Sequence, residues 1–434
     1  MRKIVLLGIA SILLCSTAER ALAESIQKDA SQSQVASADP LRVKADAIVM
    51  VLNGKLPAKD VFSPEFLAQV SPSQLSALQT QLVAAYGPLQ AVESITKTGD
   101  FSANIAFRYE KAIGSGVMTI APDASHLVTG LRLTSFEAVD DTPAKISADI
   151  KALPGTVSAY YGPLDGERPL ISINVDRPMA VGSAFKLYVL SALSNSIKAD
   201  QHRWNDVVPL TAKSYPSGLL QAWPKDSPLT VQSLASLMIQ ISDNTAADQL
   251  IALLGRNVVE QEYAASGGAS EPTLPFLTTR EMFTIKSDPT LLEAYAKAGE
   301  AARRKLLQSL PKERMPQEQV ISAFSGKPVA IDRIEWFVSA DQMRKLLQRL
   351  TGPDSAKARE IMAINIGVGD DMRKHWNYIG YKGGSEPGVL DMTWLLQSKS
   401  GDWRILTLAW NDQNNAVATD TLLALGKRIL SLND

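Results

Sequence analysis

The sequence of 434 residues predicts an α+β protein built as two domains. Three observations carry that expectation. With 45% hydrophobic residues, the chain is long enough to bury more than one core. From Leu41 onward helical periodicity comes first and strand-like alternation comes after it, the order of helices packed on one face of an antiparallel sheet. From about residue 151, strands occupy both ends of the segment and helices fill its middle, so the end strands must meet in one antiparallel sheet flanked by a helical layer.

Residues 1–23 read as a secretory signal. Arg2 and Lys3 form its positive start, Ile4 to Cys15 its short apolar run, and Ala21-Leu22-Ala23 a small-residue cleavage site. A periplasmic or secreted protein is therefore expected. A lipid anchor at Cys15 is the weaker alternative, because Leu13 and Leu14 stand where such a site wants a small residue. The apolar run is short for a membrane span. Cleavage after Ala23 would remove the only cysteine, leaving no disulfide and no thiol nucleophile. Residues 24–40 are rich in Ser, Gln, Ala and Asp and read as a disordered linker.

The first domain is expected over 41–150, with helices at 41–52, 64–70 and 74–86 and strands near 101–108, 116–120 and 127–134. The Pro-containing stretch 140–154 reads as a separator. The second domain, 151–434, opens with strands at 157–161 and 170–175. It closes with strands at 378–382, 389–397 and 403–410 and a helix to Leu430. A net charge of −1 with dispersed Lys and Arg gives no reason to expect nucleic acid or an acidic membrane as partner; a small-molecule substrate fits better.

Three motifs in the second domain carry chemistry. Ser183 enters an apolar helix with Lys186 one turn later on the same face, where a neutral amine can accept the serine proton. A helix-start serine is also an ordinary N-cap. The S-x-x-K spacing recurs at Ser25/Lys28 and Ser94/Lys97, so Ser183 is distinguished by the two motifs downstream of it. After an apolar helix over 230–241 comes Ser242-Asp243-Asn244, opening another helix. There Ser242 can pass a proton to a leaving nitrogen and Asn244 can hydrogen-bond a substrate amide, the plainer alternative being a capped helix start. Lys382-Gly383-Gly384-Ser385 comes directly after a strand. Its glycines let a ligand lie against the strand edge, Lys382 supplies positive charge for a carboxylate, and the Ser385 and Ser183 backbone N–H groups can form an oxyanion hole. Lys97-Thr98-Gly99 and Lys399-Ser400-Gly401 are decoys for this third motif by their position.

In order and position these motifs resemble the signatures of the class A β-lactamase and penicillin-binding-protein superfamily, over about residues 155–434. Pro228-Leu229-Thr230-Val231, Asn244-Thr245-Ala246-Ala247-Asp248 and Leu277-Thr278-Thr279-Arg280 agree with it. The two-domain layout is most similar to the clavulanic-acid-cluster type, in which a small steroid-isomerase-like (NTF2/cystatin-like) domain precedes a β-lactamase/transpeptidase-like one with a five-stranded sheet. The resemblance implies a serine hydrolase that forms an acyl-enzyme on Ser183 with a β-lactam or a related amide or ester. Catalysis would fall to Ser183, Lys186 and Ser242, and substrate binding to Asn244, Lys382, Gly384 and Ser385. It implies no cofactor and no metal. The alternatives are a penicillin-binding or sensing protein that acylates without efficient turnover, and an esterase.

Three departures stand out. Glu260, Glu262 and Glu271 lie where the family carries its water-activating glutamate, but none has the E-x-x-L-N setting. Gly383 replaces the usual Thr or Ser, whose hydroxyl commonly touches the substrate carboxylate. An added helical stretch, roughly 283–350, is expected either to shape the cleft or to be a surface addition. His126, His202 and His375 are scattered and read as ordinary residues rather than ligands. Tyr215 and Trp223 read first as packing and secondarily as cleft walls, and Arg404 has an even chance of facing a substrate carboxylate.

Overall fold

Each α-helix described in the first unit begins at a proline preceded by a capping side chain. Asp39 caps Pro40–Leu52, Ser63 caps Pro64–Gln69, and Ser71 with Gln74 forms a full capping box on Pro72–Tyr86. Proline at the first helical position loses no hydrogen bond, since that N–H has no partner in the helix anyway. The computed structural model describes residues 39–139, 141–268, 273–311, 318, 324 and 326–432. The expected signal, the linker up to residue 38 and Glu271 lie outside the described residues.

Four antiparallel strands come next in sequential order, β1 (Leu89–Gly99), β2 (Ser102–Tyr109), β3 (Ala112–Ile120) and β4 (Val128–Ala138). Leu41, Ala45 and Ile48 of the first helix pack with Phe62, Ile105, Phe107, Met118 and Val128 in one core. The first of these strands is not among the expected elements. Its register against β2 shifts between Leu89 and Ala91, Val92 and Ser94, and Lys97 and Gly99, so its apolar residues never settle into a period of two.

The chain divides into two compact units, Met1–Phe136 and Glu137–Asp434. The stretch read as a separator instead forms the helix Pro143–Lys151 in the second unit. Thr142 caps it, and Ile146 and Ile150, spaced one turn apart, are buried. Pro143 is a helix start here and not a breaker.

The second unit's main sheet contains β5 (Thr156–Pro163), β6 (Ile171–Ile173), β11 (Tyr378–Glu386), β12 (Val389–Gln397) and β13 (Trp403–Asn411) in the order β11-β12-β13-β5-β6. The expected meeting of the two ends is the antiparallel pair β13 with β5. One sheet face, with Trp394, Leu406, Leu408 and Trp410, packs against the terminal helices 143–151 and 419–430. A second core lies among the helices and includes Phe185, Leu190, Met238, Phe276 and Trp336. Two short pairs complete the unit: β8 (Val207–Pro209) with β9 (Pro228–Thr230), and β7 (Met179–Ala180) with β10 (Phe337–Val338).

The stretch expected as added helices holds Pro289–Lys297, Glu300–Ser309 and Ala340–Gln348. It is not only a surface addition. Ile334, Trp336 and Val338 are buried in the helical core, and β10 pairs with the strand leading into Ser183.

Candidate active site

Ser183 sits on a short 3-10 turn, Gly182–Phe185, that runs straight into the helix Lys186–Lys198. No side chain caps this start, so the N-cap reading of Ser183 does not hold. The turn is held from three sides. The Asn411 side-chain amide bonds both backbone groups of Ala180, at 2.9 and 3.0 Å. Val181 N–H donates to the Trp336 carbonyl at 3.1 Å, and Phe185 stacks on the Trp336 ring at 3.9 Å. On the fourth side, a Cβ at Gly384 would lie 2.4 Å from Ser183 N and 2.1 Å from the Val181 carbonyl oxygen. Gly384 is therefore the residue that lets β11 close on the serine turn, and a Cβ at Gly182 would lie 3.0 Å from Ser385 N. The two N–H groups expected to form the oxyanion hole flank this contact.

Lys186 is fully buried. Its Nζ lies 2.6 Å from the Ser242 carbonyl, 2.7 Å from Asn244 Oδ1, 3.1 Å from Ser242 Oγ and 3.2 Å from Ser183 Oγ. Two of these neighbours can only accept. A neutral amine satisfies both with its two N–H bonds and leaves its lone pair for a hydroxyl proton. Burial, followed by the nearby Lys382 charge, holds the amine well below the usual lysine range against the opposing pull of Asp248 and Asp243.

Ser242 has φ 58°, a left-handed conformation that serine adopts at a cost of order 1–3 kcal/mol. The surroundings hold it there. Asp243 caps the helix Asn244–Leu254 through Ala246 N–H at 2.9 Å and also accepts from Leu219 and Leu220 at 2.6 and 3.0 Å. The plainer reading thus applies to Asp243, while Ser242 turns its hydroxyl between two lysines, 3.1 Å from Lys186 Nζ and 3.1 Å from Lys382 Nζ. Asn244 departs from expectation. Its Oδ1 accepts from Lys186, and its Nδ2 donates to the Tyr215 carbonyl at 3.3 Å, leaving one N–H for a ligand.

The third motif lies within β11 rather than beyond its end. Lys382 is buried and also donates to the Gly383 carbonyl at 2.5 Å. Burial pulls its pKa down to about 7, with Asp391 opposing, so the positive charge expected of it depends on pH. Asp391, unmarked in the sequence, pairs with Gly384 across the strands, accepts from Thr393 at 2.9 Å, and is pushed up to about 7 by burial. The pairing register of β11 with β12 brings it there, opposite Gly384 and two residues from the Thr393 that faces Lys382.

These groups line a cleft of about 460 Å³ that holds Ser183, Ser242, Asn244, Lys382, Gly384 and Ser385. Phe283, Tyr381 and Asp391 line it too, so the stretch from Phe283 does help shape it. Tyr215, Trp223 and Arg404 are not among the lining residues. Glu260 accepts from Phe276 N–H and pairs with Arg304, while Glu262, nearly buried, takes Ser191, Asn195 and Arg349. Both carboxylates are committed away from the cleft. No helix among the described residues is long and apolar enough to cross a membrane.

The model of the beta-lactamase enzyme family matches residues 142–363. A solved beta-lactamase from Sphaerobacter thermophilus DSM 20745 aligns at 20% identity and a TM-score of 0.45, covering 67% of this chain and 94% of that one. A structure of PBP-A aligns at 15% identity and 0.45, with the same coverages. No curated protein matches the sequence. The family match spans just over half of the 434 residues, and the chain belongs to the beta-lactamase enzyme family.

Proposed function

We propose that this protein is a serine hydrolase that forms an acyl-enzyme on Ser183 with a β-lactam or a related amide or ester. The observation that carries the reading is the buried, charge-depleted Lys186 amine lying between the Ser183 and Ser242 hydroxyls. Lys186 takes the Ser183 proton as the oxygen attacks the carbonyl carbon, and the Ser183 and Ser385 N–H groups receive the developing oxyanion. As the tetrahedral intermediate collapses, Ser242 protonates the leaving nitrogen or oxygen and recovers its proton from Lys186, which returns to the neutral amine. Water then attacks the acyl group by the reverse route.

A second reading is an acylated penicillin-binding or sensing protein. It is favoured by the scarcity of carboxylates at the cleft: Asp391 is the only one among the described lining residues, and Thr393 engages it. An ester, with its easier leaving group, would then turn over faster than a penicillin. The first unit we read as a steroid-isomerase-like positioning or interaction domain, supported by its order of helices before a four-stranded sheet. The composition of residues 1–23 supports an exported location.

The test is the intact mass of the protein at intervals after mixing with benzylpenicillin, beside a Ser183→Ala control. An adduct of penicillin mass that requires Ser183 is the expected result, and its lifetime separates enzyme from sensor. Mass gain in the Ser183→Ala protein would overturn the assignment.

A further inference from the structure

At Gly383, a cleft position on β11, the side chain is missing and another side chain fills its space. A Cβ built there would fall 2.1 Å from the Tyr381 hydroxyl oxygen and 2.9 Å from Tyr381 Cζ. Residues 381 and 383 share a face of the strand, so the tyrosine ring runs along the strand and places its oxygen over the glycine. The ring is fixed in that pose. It packs on Trp394 of the neighbouring strand with centroids 4.9 Å apart, and Gly367 makes room on its other side, where a Cβ would lie 2.6 Å from Tyr381 Cδ1. Tyr381 and Gly383 both line the cleft beside Lys382 and Ser242. No hydrogen bond joins the Tyr381 hydroxyl to another described residue, although nearly every other polar side chain around it is engaged.

We infer that the Tyr381 hydroxyl is a specificity-determining ligand contact, which together with the Lys382 ammonium receives a carboxylate of the substrate. A neutral phenol and a lysine amine that line one cleft offer two donors and no negative charge, which suits an anionic oxygen pair better than a neutral amide. Burial raises the Tyr381 phenol above its ordinary range, so it remains a donor at neutral pH. The inference rests on the acyl-transfer reading above and adds the Tyr381 hydroxyl to the groups that receive the substrate carboxylate.

The experiment compares Ser183→Ala with Ser183→Ala/Tyr381→Phe by titration calorimetry, using benzylpenicillin and its methyl ester, two ligands that differ only in the charge of that group. Losing a hydrogen bond to a charged group should weaken benzylpenicillin about tenfold or more, with the methyl ester changed less than about twofold. Gly383→Ala, which drives a methyl group into the hydroxyl oxygen, should give the same selective loss with the tyrosine present. Equal affinities in the two proteins, or an equal loss for both ligands, would overturn the inference. Intact mass of the single variant Tyr381→Phe after benzylpenicillin treatment is read separately: an adduct on Ser183 leaves the acyl-transfer reading standing whatever the calorimetry shows.

Discussion

Two buried lysines in the second unit meet opposite fates. Lys186, under the cleft, hydrogen-bonds only carbonyl and hydroxyl oxygens, and burial followed by the Lys382 charge holds it well below its usual range against the pull of Asp248 and Asp243. Lys286, on the helix Thr279–Ser287, lies 2.8 Å from Glu335 and 2.5 Å from Glu386, and its pKa is raised although burial alone would lower it. Both side chains are out of water, so burial does not decide which lysine becomes a base; the charge of its neighbours does. The Lys286 cluster has one cation for two carboxylates. Burial and then the second carboxylate push the Glu386 pKa well above the usual range. Glu386 ends the strand that carries Lys382, and Glu335 precedes the strand beside Ser183, which makes this cluster a clamp on the elements that build the cleft.

The largest effect that would break this contrast is on rate. Lys186→Met should slow acylation by benzylpenicillin about a thousandfold at pH 7, read by stopped-flow or timed mass spectra. Activity near that of the unchanged protein would mean that some other group accepts the serine proton. Next comes stability. Lys286→Met leaves the carboxylates without their cation and should cost about 3–5 kcal/mol, whereas Glu386→Gln, which removes the carboxyl whose charged form burial and Glu335 disfavour, should cost about 1 kcal/mol or less. All seven tryptophans lie in the second unit, so tryptophan fluorescence in denaturant tracks that unit alone.

Per pH unit, the pH dependence of that same stability is a smaller effect than the loss of Lys286, and it separates the clusters by sign. A raised carboxyl stabilises below its ordinary pKa and loses that contribution as pH climbs from 4.5 through its folded value, so Glu386 should make stability fall there. A lowered lysine does the reverse. From about 7 to 10.5 the unfolded chain holds a proton that folded Lys382 has released, so stability should rise with pH, by up to about 1.4 kcal/mol per pH unit. Lys382→Met should flatten the second slope and Glu386→Gln the first; slopes unchanged in both variants would remove the proposed difference.

Much of the site was legible because its parts are local. Ser183 with Lys186 and Ser242 with Asn244 are each set by a helix start, where spacing along the chain is spacing in space. The five strands of the main sheet were legible for the same reason, as short apolar runs between turns. What escaped depends on contacts across elements. Asp391 is brought to the cleft by strand register, Tyr381 matters only through the absence of a side chain at 383, and Lys286 meets its carboxylates from segments far apart in the chain. The irregular strand β1 and the short helix over 143–151 escaped because bulges blur one period and a single turn of isoleucines barely displays the other.

The overlap between the Tyr381 oxygen and the empty Cβ position of Gly383 also sets an order on mutational history. The order of change at the two sites matters, because enlarging 383 first passes through a collision at 2.1 Å, while shrinking 381 first opens the space that a larger 383 can occupy. Gly384 permits no such path, since its obstacle is the backbone of the serine turn. A search for variants with altered ligand preference would therefore vary 381 and 383 together and hold 384 constant, and a chain that carries tyrosine at 381 keeps glycine at 383 until the tyrosine is lost.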